Sequence, residues 1–298
     1  MPALDAVAER LGDSHRTFDC CATTFTVRAT GVRAAAATRR ARETAKSLER
    51  QLDAFDEASA VSQLNRESSV ENPHVARIVS RGLEYHERTD GSFDIHNGRV
   101  EDDLKSYLRG EEDTLPASFD TGTVSVAGDR VLTDTPLDLN GLAKGYIVDQ
   151  AAAALDGVAR RGFISGGGDM SPPTGPVAIE SPHDGDQPLR TLDTSWAVAT
   201  SGGYRRQRGG VDHIYDPTGD DPTGDDTAGD RFGAKHDSVT VVARRDCMEA
   251  DALATTLAAR PLDDALSLAE AWDGAAAFVL HDGVFRSTEG FENHVMDT

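Results

Sequence analysis

Lys144 lies in LDLNGLAKGYIVD (Leu137 to Asp149), where an acidic strand end runs through glycine into a helix whose first turn carries the lysine. A helix start offers unpaired N–H groups and a positive dipole end, and Gly141 lets backbone approach a ligand or metal closely. The segment reads as a site for an anionic ligand, or as an ordinary strand-to-helix connection bearing a surface lysine. Asp251 and Thr255 carry a second signal. They stand four apart in CMEADALATTLAAR (Cys247 to Arg260), a helical pattern, so a carboxylate and a hydroxyl project from one face. Taken alone, that pair reads as a near-cap carboxylate and a packing hydroxyl. SGGGD (Ser165 to Asp169) and ATSGGYRR (Ala199 to Arg206) supply either backbone N–H groups for a ligand or tight turns.

The elements that hold these residues are legible in part. Thr23 to Ala29 alternates as a strand, and Val32 to about Phe55 reads as a long helix with Ala45, Leu48, Leu52 and Phe55 on one face. Asn72 caps a second helix that Pro73 opens and that buries Val75, Ile78, Val79 and Leu83. Val239 to Ala243 reads as a buried strand, Met248 to Ala259 as a helix, and Ala277 to Ser287 as a hairpin turning at Asp282-Gly283. Between these, short strands and helices alternate irregularly. The regular alternation of a doubly wound sheet is missing, so the expected class is α+β, with mixed sheets flanked by helices.

Composition sets further bounds. A chain of 298 residues with 38% hydrophobic and 27% charged residues has the balance of a soluble globular protein. Its net charge of −21 argues against nucleic acid as a partner. The lysines are Lys46, Lys105, Lys144 and Lys235, so arginine supplies most of the basic charge. An acidic, lysine-poor surface is of the halophilic type. At ~1 M salt the Debye length is ~3 Å, and only local charge then acts on an anionic ligand. No apolar window is long enough for a membrane span, and the first residues show neither a basic nor an apolar signal region, so the expectation is a cytoplasmic protein that is not membrane-embedded. Cys20, Cys21 and Cys247 read as buried thiols rather than a disulfide framework or a zinc spacing. DPTGD occurs twice in tandem from Asp216, and residues 218–237 read as a mobile acidic insertion.

Further segments complete an ordered set: CATTFTV from Cys21, SAVSQLN from Ser59, GSFDI from Gly91 and HIYDPTG from His213. In this order, with the segments above, they resemble the ApbE family, flavin transferases that move FMN from FAD onto a threonine or serine of an acceptor protein. The resemblance runs from about Cys21 to Thr256. It implies an ApbE-like flavin transferase fold over residues 18–298, after a leader at 1–17, with FAD as substrate, Mg2+ as cofactor and an acceptor flavoprotein as partner. ADALAT (250–255) matches the family's metal motif, which makes Asp251, Thr255 and the carbonyl of Gly141 the expected ligands; an all-oxygen set suits Mg2+. The matched flavin positions are Cys21, Phe55, Ser92, Phe93, Asp94, Asp138, Lys144, His213 and Ile214, with Asn65 bordering the site.

Lys144 and the metal would supply local positive charge. His213 is the candidate general base, because histidine titrates near neutrality and an acceptor hydroxyl must lose a proton; Asp212 beside it either orients the ring or is surface charge. The same metal and pyrophosphate geometry would serve hydrolysis of FAD to FMN and AMP, and a non-catalytic FAD-binding protein is the remaining alternative. The chain departs from the family pattern at Cys21, at Asn140, at His96, where a small hydroxyl residue is usual, and in a shortened HIYDPTG.

Overall fold

The computed structural model of the chain describes residues 12–116, 118–182, 188–203, 208–218 and 231–296. In chain order the first half contains β1 (Asp13–Cys20), β2 (Thr23–Thr30), α1 (Ala34–Leu52), α2 (Ala60–Glu67), β3 (Ser69–Glu71), α3 (Pro73–Arg88), α4 (Gly98–Arg109), β4 (Val124–Ala127), β5 (Arg130–Thr133) and α5 (Asn140–Ala153). The second half contains β6 (Arg161–Gly166), β7 (Asp169–Met170), β8 (Val177–Glu180), β9 (Pro188–Leu192), β10 (Ala197–Ser201), β11 (Ser238–Ala243), α6 (Cys247–Ala259), α7 (Leu262–Ala271), β12 (Ala275–His281) and β13 (Val284–Ser287).

An antiparallel sheet of eight strands, in the order β1-β2-β6-β7-β10-β11-β12-β13, is the floor on which the site is built. Its interior strand β11 is buried along its whole length. Val239, Val241 and Ala243 join the main core under the helices, while Val242 joins a second cluster with Ile179, Leu192 and Phe291 on the other face. That double burial is why its sequence is a continuous apolar run rather than an alternation. The mixture of antiparallel sheets and helices is the α+β class expected.

Several local expectations hold. Asn72 caps α3 by accepting from the N–H groups of His74 and Val75, with Pro73 in the first turn. The β12–β13 hairpin turns at Asp282 and Gly283, both at positive φ. No helix among the described residues is long and apolar enough to cross a membrane.

Other boundaries move. β1 pairs with β2 along its whole length through the two-residue turn Cys21-Ala22, whose φ angles of 52° and 54° suit a twisted hairpin. Only Cys20 of β1 is buried, so this edge strand shows no apolar alternation, and a leader boundary at residue 17 falls inside it. Residues 1–11 of that leader lie outside the described residues. Helix α1 stops at Leu52, and Phe55 lies beyond it, 53% exposed, with the Lys105 ammonium 4.1 Å above its ring; it does not continue the buried stripe.

Helix α5 begins at Asn140, and the residues from Asp134 to Leu139 are not strand. Lys144 therefore falls one turn deeper than a first-turn lysine. Most of the expected acidic insertion at 218–237 lies outside the described residues, but its end does not. Phe232 is buried and bridges to Tyr215, and Lys235 donates its N–H to the Ala258 carbonyl at 2.8 Å, so residues 231–237 belong to the packed fold.

Candidate functional site

The site begins where α5 crosses α6. A Cβ on Gly145 would stand 2.7 Å from both the Cys247 carbonyl oxygen and the Met248 Cα, so only glycine permits this approach. Asp246 caps α6 through the N–H of Glu249 and is gripped by Arg81 at 3.0 and 3.1 Å. Asp149 of α5 accepts from the N–H groups of Cys247 and Met248 at 2.8 and 3.0 Å, which ties the two helices together. Within α6 every residue except Thr255 is buried.

This crossing places Asp251 against Lys144. The carboxylate accepts from the Gly145 N–H at 3.0 Å and from the Lys144 ammonium at 3.3 Å, and the same ammonium donates to Asp169 at the start of β7. Asp169 is wholly buried and within hydrogen-bonding reach of Asp251, and its Oδ1 has no hydrogen-bond partner among the described residues. Burial and the neighbouring Asp251 charge push the Asp169 carboxyl well above its ordinary range, against the pull of Lys144. Burial works against the Lys144 ammonium, but Asp169 and Asp251 outweigh it and raise its pKa.

A cavity of about 500 Å³ opens above this cluster. Cys21, Phe55, Ser92, Phe93, Asp94, Asp138, Gly141, Lys144, His213, Ile214, Asp251 and Thr255 all line it. The fold thus gathers residues from the first hairpin, the α3–α4 loop, α5 and α6. Asn65 is not in the cavity wall. Its amide is committed to the main chain of Leu137 instead, accepting from the N–H at 2.9 Å and donating to the carbonyl at 3.0 Å. Asp212 is buried, and its two oxygens accept from the N–H groups of Ile214 and Ala234 at 2.7 and 2.9 Å, so it shapes the loop that presents His213.

The residues present fit a hard divalent cation. Gly141 and Thr255 are neighbours, since a Cβ on Gly141 would stand 3.7 Å from Thr255 Cγ2, and Thr255 Oγ1 lies 3.4 Å from Ser201 Oγ. Carboxylate, hydroxyl and carbonyl donors are the oxygen set that Mg2+ takes. The unpaired Oδ1 of buried Asp169 adds a carboxylate that wants a cation. From sequence, Asp169 was only the end of a glycine-rich turn. An acid directly after three glycines was the available signal.

Sequence reasoning also missed the wall opposite. Glu101, Lys105 and Tyr215 line the cavity with Asp138 and Asn140. The Tyr215 hydroxyl donates to Asp138 at 3.0 Å, Asn140 donates to Glu101 at 3.1 Å and to Asp138 at 2.7 Å, and Lys105 meets Glu101 at 2.6 Å. Burial, then the charge of Asp138, pushes the Glu101 carboxyl up to about 8, with Lys105 opposing. In an amphipathic helix with an EDD run, nothing marks which acid faces inward. Two of the four lysines in this arginine-rich chain, Lys105 and Lys144, face this one cavity.

No curated protein gives a significant sequence match. Among solved structures, the ApbE protein of Thermotoga maritima superposes with a TM-score of 0.79 at 22% identity, covering 96% of this chain and 100% of its own. The flavin transferase ApbE of Vibrio cholerae gives 0.77 at 21% identity, covering 95% and 99%. The apo flavinyl transferase ApbE of Pseudomonas stutzeri gives 0.73 at 23% identity, covering 96% and 99%. At these identities the likeness establishes the fold alone. The sequence model of the ApbE family, however, matches residues 21–279, from the turn that lines the cavity through the helix that carries Asp251 and on into β12. With most of its length matched in this way, the chain belongs to the ApbE family.

Proposed function

We propose that this chain is a Mg2+-dependent FAD:protein FMN transferase, which moves FMN from FAD to a threonine or serine hydroxyl of an acceptor protein and releases AMP. The observation that carries this reading is the Lys144, Asp169 and Asp251 charge cluster, opening beside Gly141 and Thr255 onto a cavity of about 500 Å³. Membership in the family supports it, as do the transferase names of the Vibrio and Pseudomonas proteins. The cavity volume lies in the range of small-molecule sites.

Asp251, Thr255 and the Gly141 carbonyl would hold Mg2+, with Asp169 beside them. When bound, the ion supplies charge neutralisation at phosphoryl oxygens. Lys144 presents its ammonium to the diphosphate of FAD, so protein charge opposes the negative charge that grows in the transition state. Phe55, exposed at the cavity under Lys105, offers an aromatic face for a ring of the dinucleotide. Exposed His213 takes the proton from the acceptor Oγ as that oxygen bonds the phosphorus nearer riboflavin. The bond from that phosphorus to the bridging oxygen breaks, and AMP leaves.

The test is incubation of the full chain with FAD and Mg2+, with and without an acceptor flavodomain, followed by mass spectrometry of the acceptor and measurement of AMP. Covalent FMN on the acceptor, with stoichiometric AMP, supports the proposal. AMP release that ignores the acceptor indicates FAD hydrolysis, and FAD recovered intact indicates a binding protein; either outcome overturns the transferase reading.

A further inference from the structure

His86, Asp94 and His96 form a second cluster of ligating atoms at the edge of the cavity, and the reaction proposed above uses neither histidine. His86 stands in the last turn of α3. Gly91, at a φ of 84°, closes that helix with its N–H on the His86 carbonyl at 2.9 Å, and the chain then folds back so that Asp94 and His96 face His86. Both imidazoles aim Nδ1 at the same oxygen, Asp94 Oδ1: His96 at 2.5 Å and His86 at 3.3 Å, with the rings edge to face at 5.4 Å.

One carboxylate oxygen does not satisfy both rings. His96 forms the hydrogen bond, whereas His86 Nδ1 is a buried nitrogen with no hydrogen-bond partner among the described residues. A buried ring nitrogen left in this state, directed at a carboxylate and a second imidazole, is the arrangement that a cation resolves. The three ligand atoms lie within 4.8 Å of one another. With ligand bonds of about 2.0–2.1 Å, neighbouring ligands of a tetrahedral zinc site stand about 3.3 Å apart; the His86 to Asp94 edge already has that length, the His96 to Asp94 edge must open from 2.5 Å, and the two histidines must settle to it from within 4.8 Å. The carboxylate is held from behind by the Asn97 side chain, which donates to Asp94 Oδ2 at 3.1 Å, an outer support of the kind that orients metal ligands. Asp94 also lines the cavity, from which a water would take the fourth position.

We propose that His86, Asp94 and His96 form a second cation site, distinct from the oxygen-lined one, that takes a divalent transition metal of the Zn2+ class. Two imidazole nitrogens and one carboxylate oxygen suit Zn2+, whereas Mg2+ demands oxygen donors. The site does not depend on the flavin reading, because its ligands converge without substrate.

The experiment is calorimetric titration of the chelator-stripped full chain with ZnCl2 in excess Mg2+. Wild type, His86→Gln, His96→Gln, Asp251→Asn and Cys21→Ser are compared, with cobalt(II) spectra on each. One zinc equivalent is expected in wild type, retained in Asp251→Asn and Cys21→Ser and weakened by about 100-fold or more in either histidine variant, since loss of a ligand exceeds the 10–100-fold cost of losing a supporting contact. His86 Nδ1 makes no hydrogen bond, so His86→Gln removes a ligand without breaking one, and unchanged thermal melting of the stripped variant verifies the fold. Cobalt should show nitrogen and oxygen coordination without a thiolate charge-transfer band. Zinc binding that survives both histidine substitutions overturns the proposal. So does zinc binding lost in Cys21→Ser, which would assign the metal to the Cys20, Cys21 and Glu49 group.

Discussion

The side-chain amide of Asn65 completes both main-chain hydrogen bonds of Leu137, a residue 72 positions later, accepting from its N–H at 2.9 Å and donating to its carbonyl at 3.0 Å. Leu137 is buried, so water is a poor substitute for either bond. Asn65, in α2, thereby clamps the segment that feeds α5 and Lys144. Replacing it with alanine should cost about 1–3 kcal/mol, the expense of stranding buried polar groups. Urea denaturation would register this as a lower midpoint at constant slope, and FAD affinity should fall with it. An unchanged midpoint would remove the clamp from the account.

Gly145→Ala places a methyl group 2.7 Å from main-chain atoms of Cys247 and Met248, which have no side-chain freedom with which to yield. The expected outcome is separation of α5 and α6, at about 1–3 kcal/mol of stability. Because Lys144 and Asp251 ride on those two helices, the loss of FAD-dependent activity should exceed the loss of folded protein. Denaturation and activity measured on the same preparation test this, and a fully active, fully stable variant contradicts the packing argument.

Lys144→Met leaves Asp169 and Asp251 facing one another without their cation. Removing one partner of a buried pair costs about 3–5 kcal/mol, and the lower end applies because the Lys144 side chain is a quarter exposed. Mg2+ should then raise the melting temperature of the variant more than that of wild type, since the ion replaces the missing positive charge. If Mg2+ leaves the variant's melting unmoved, the two carboxylates and their neighbours do not form a cation site. Asp251→Asn is the companion variant, because Asp251 is buried and bonded to the Gly145 N–H; alanine there would remove a structural acceptor along with a proposed metal ligand.

Glu101 predicts a pH dependence. Its carboxyl rises from 4.5 to about 8 on folding, mainly through burial, so the folded state binds the proton more tightly than the unfolded chain. The stability it contributes is complete below 4.5 and is lost as pH rises through about 8. Glu101→Gln, which cannot ionise, should flatten that decline. Denaturation free energies of both proteins across this window give the comparison, and parallel curves would show that Glu101 does not titrate there.

Much of the outline was readable along the chain. The α3 cap, β11, α6 and the last hairpin announce themselves through spacing and turn residues, because a helix or strand is encoded by neighbours a few positions apart. The ordered motifs were legible for the same reason, and twelve of the thirteen candidate site positions do meet in one cavity. Asn65 and Leu137, Lys144 and Asp251, and the two histidines around Asp94 are a different matter. Their partners are set by folding, and the depth at which a carboxylate is buried sets its charge. Asp169 illustrates the difference: as a sequence letter it ends a turn, whereas in the fold it is a desolvated acid within reach of Asp251 and Lys144. Composition and period specify which faces are apolar. Electrostatic roles depend on distance and desolvation between residues as much as 165 positions apart, and these exist only once the helices have crossed on the sheet.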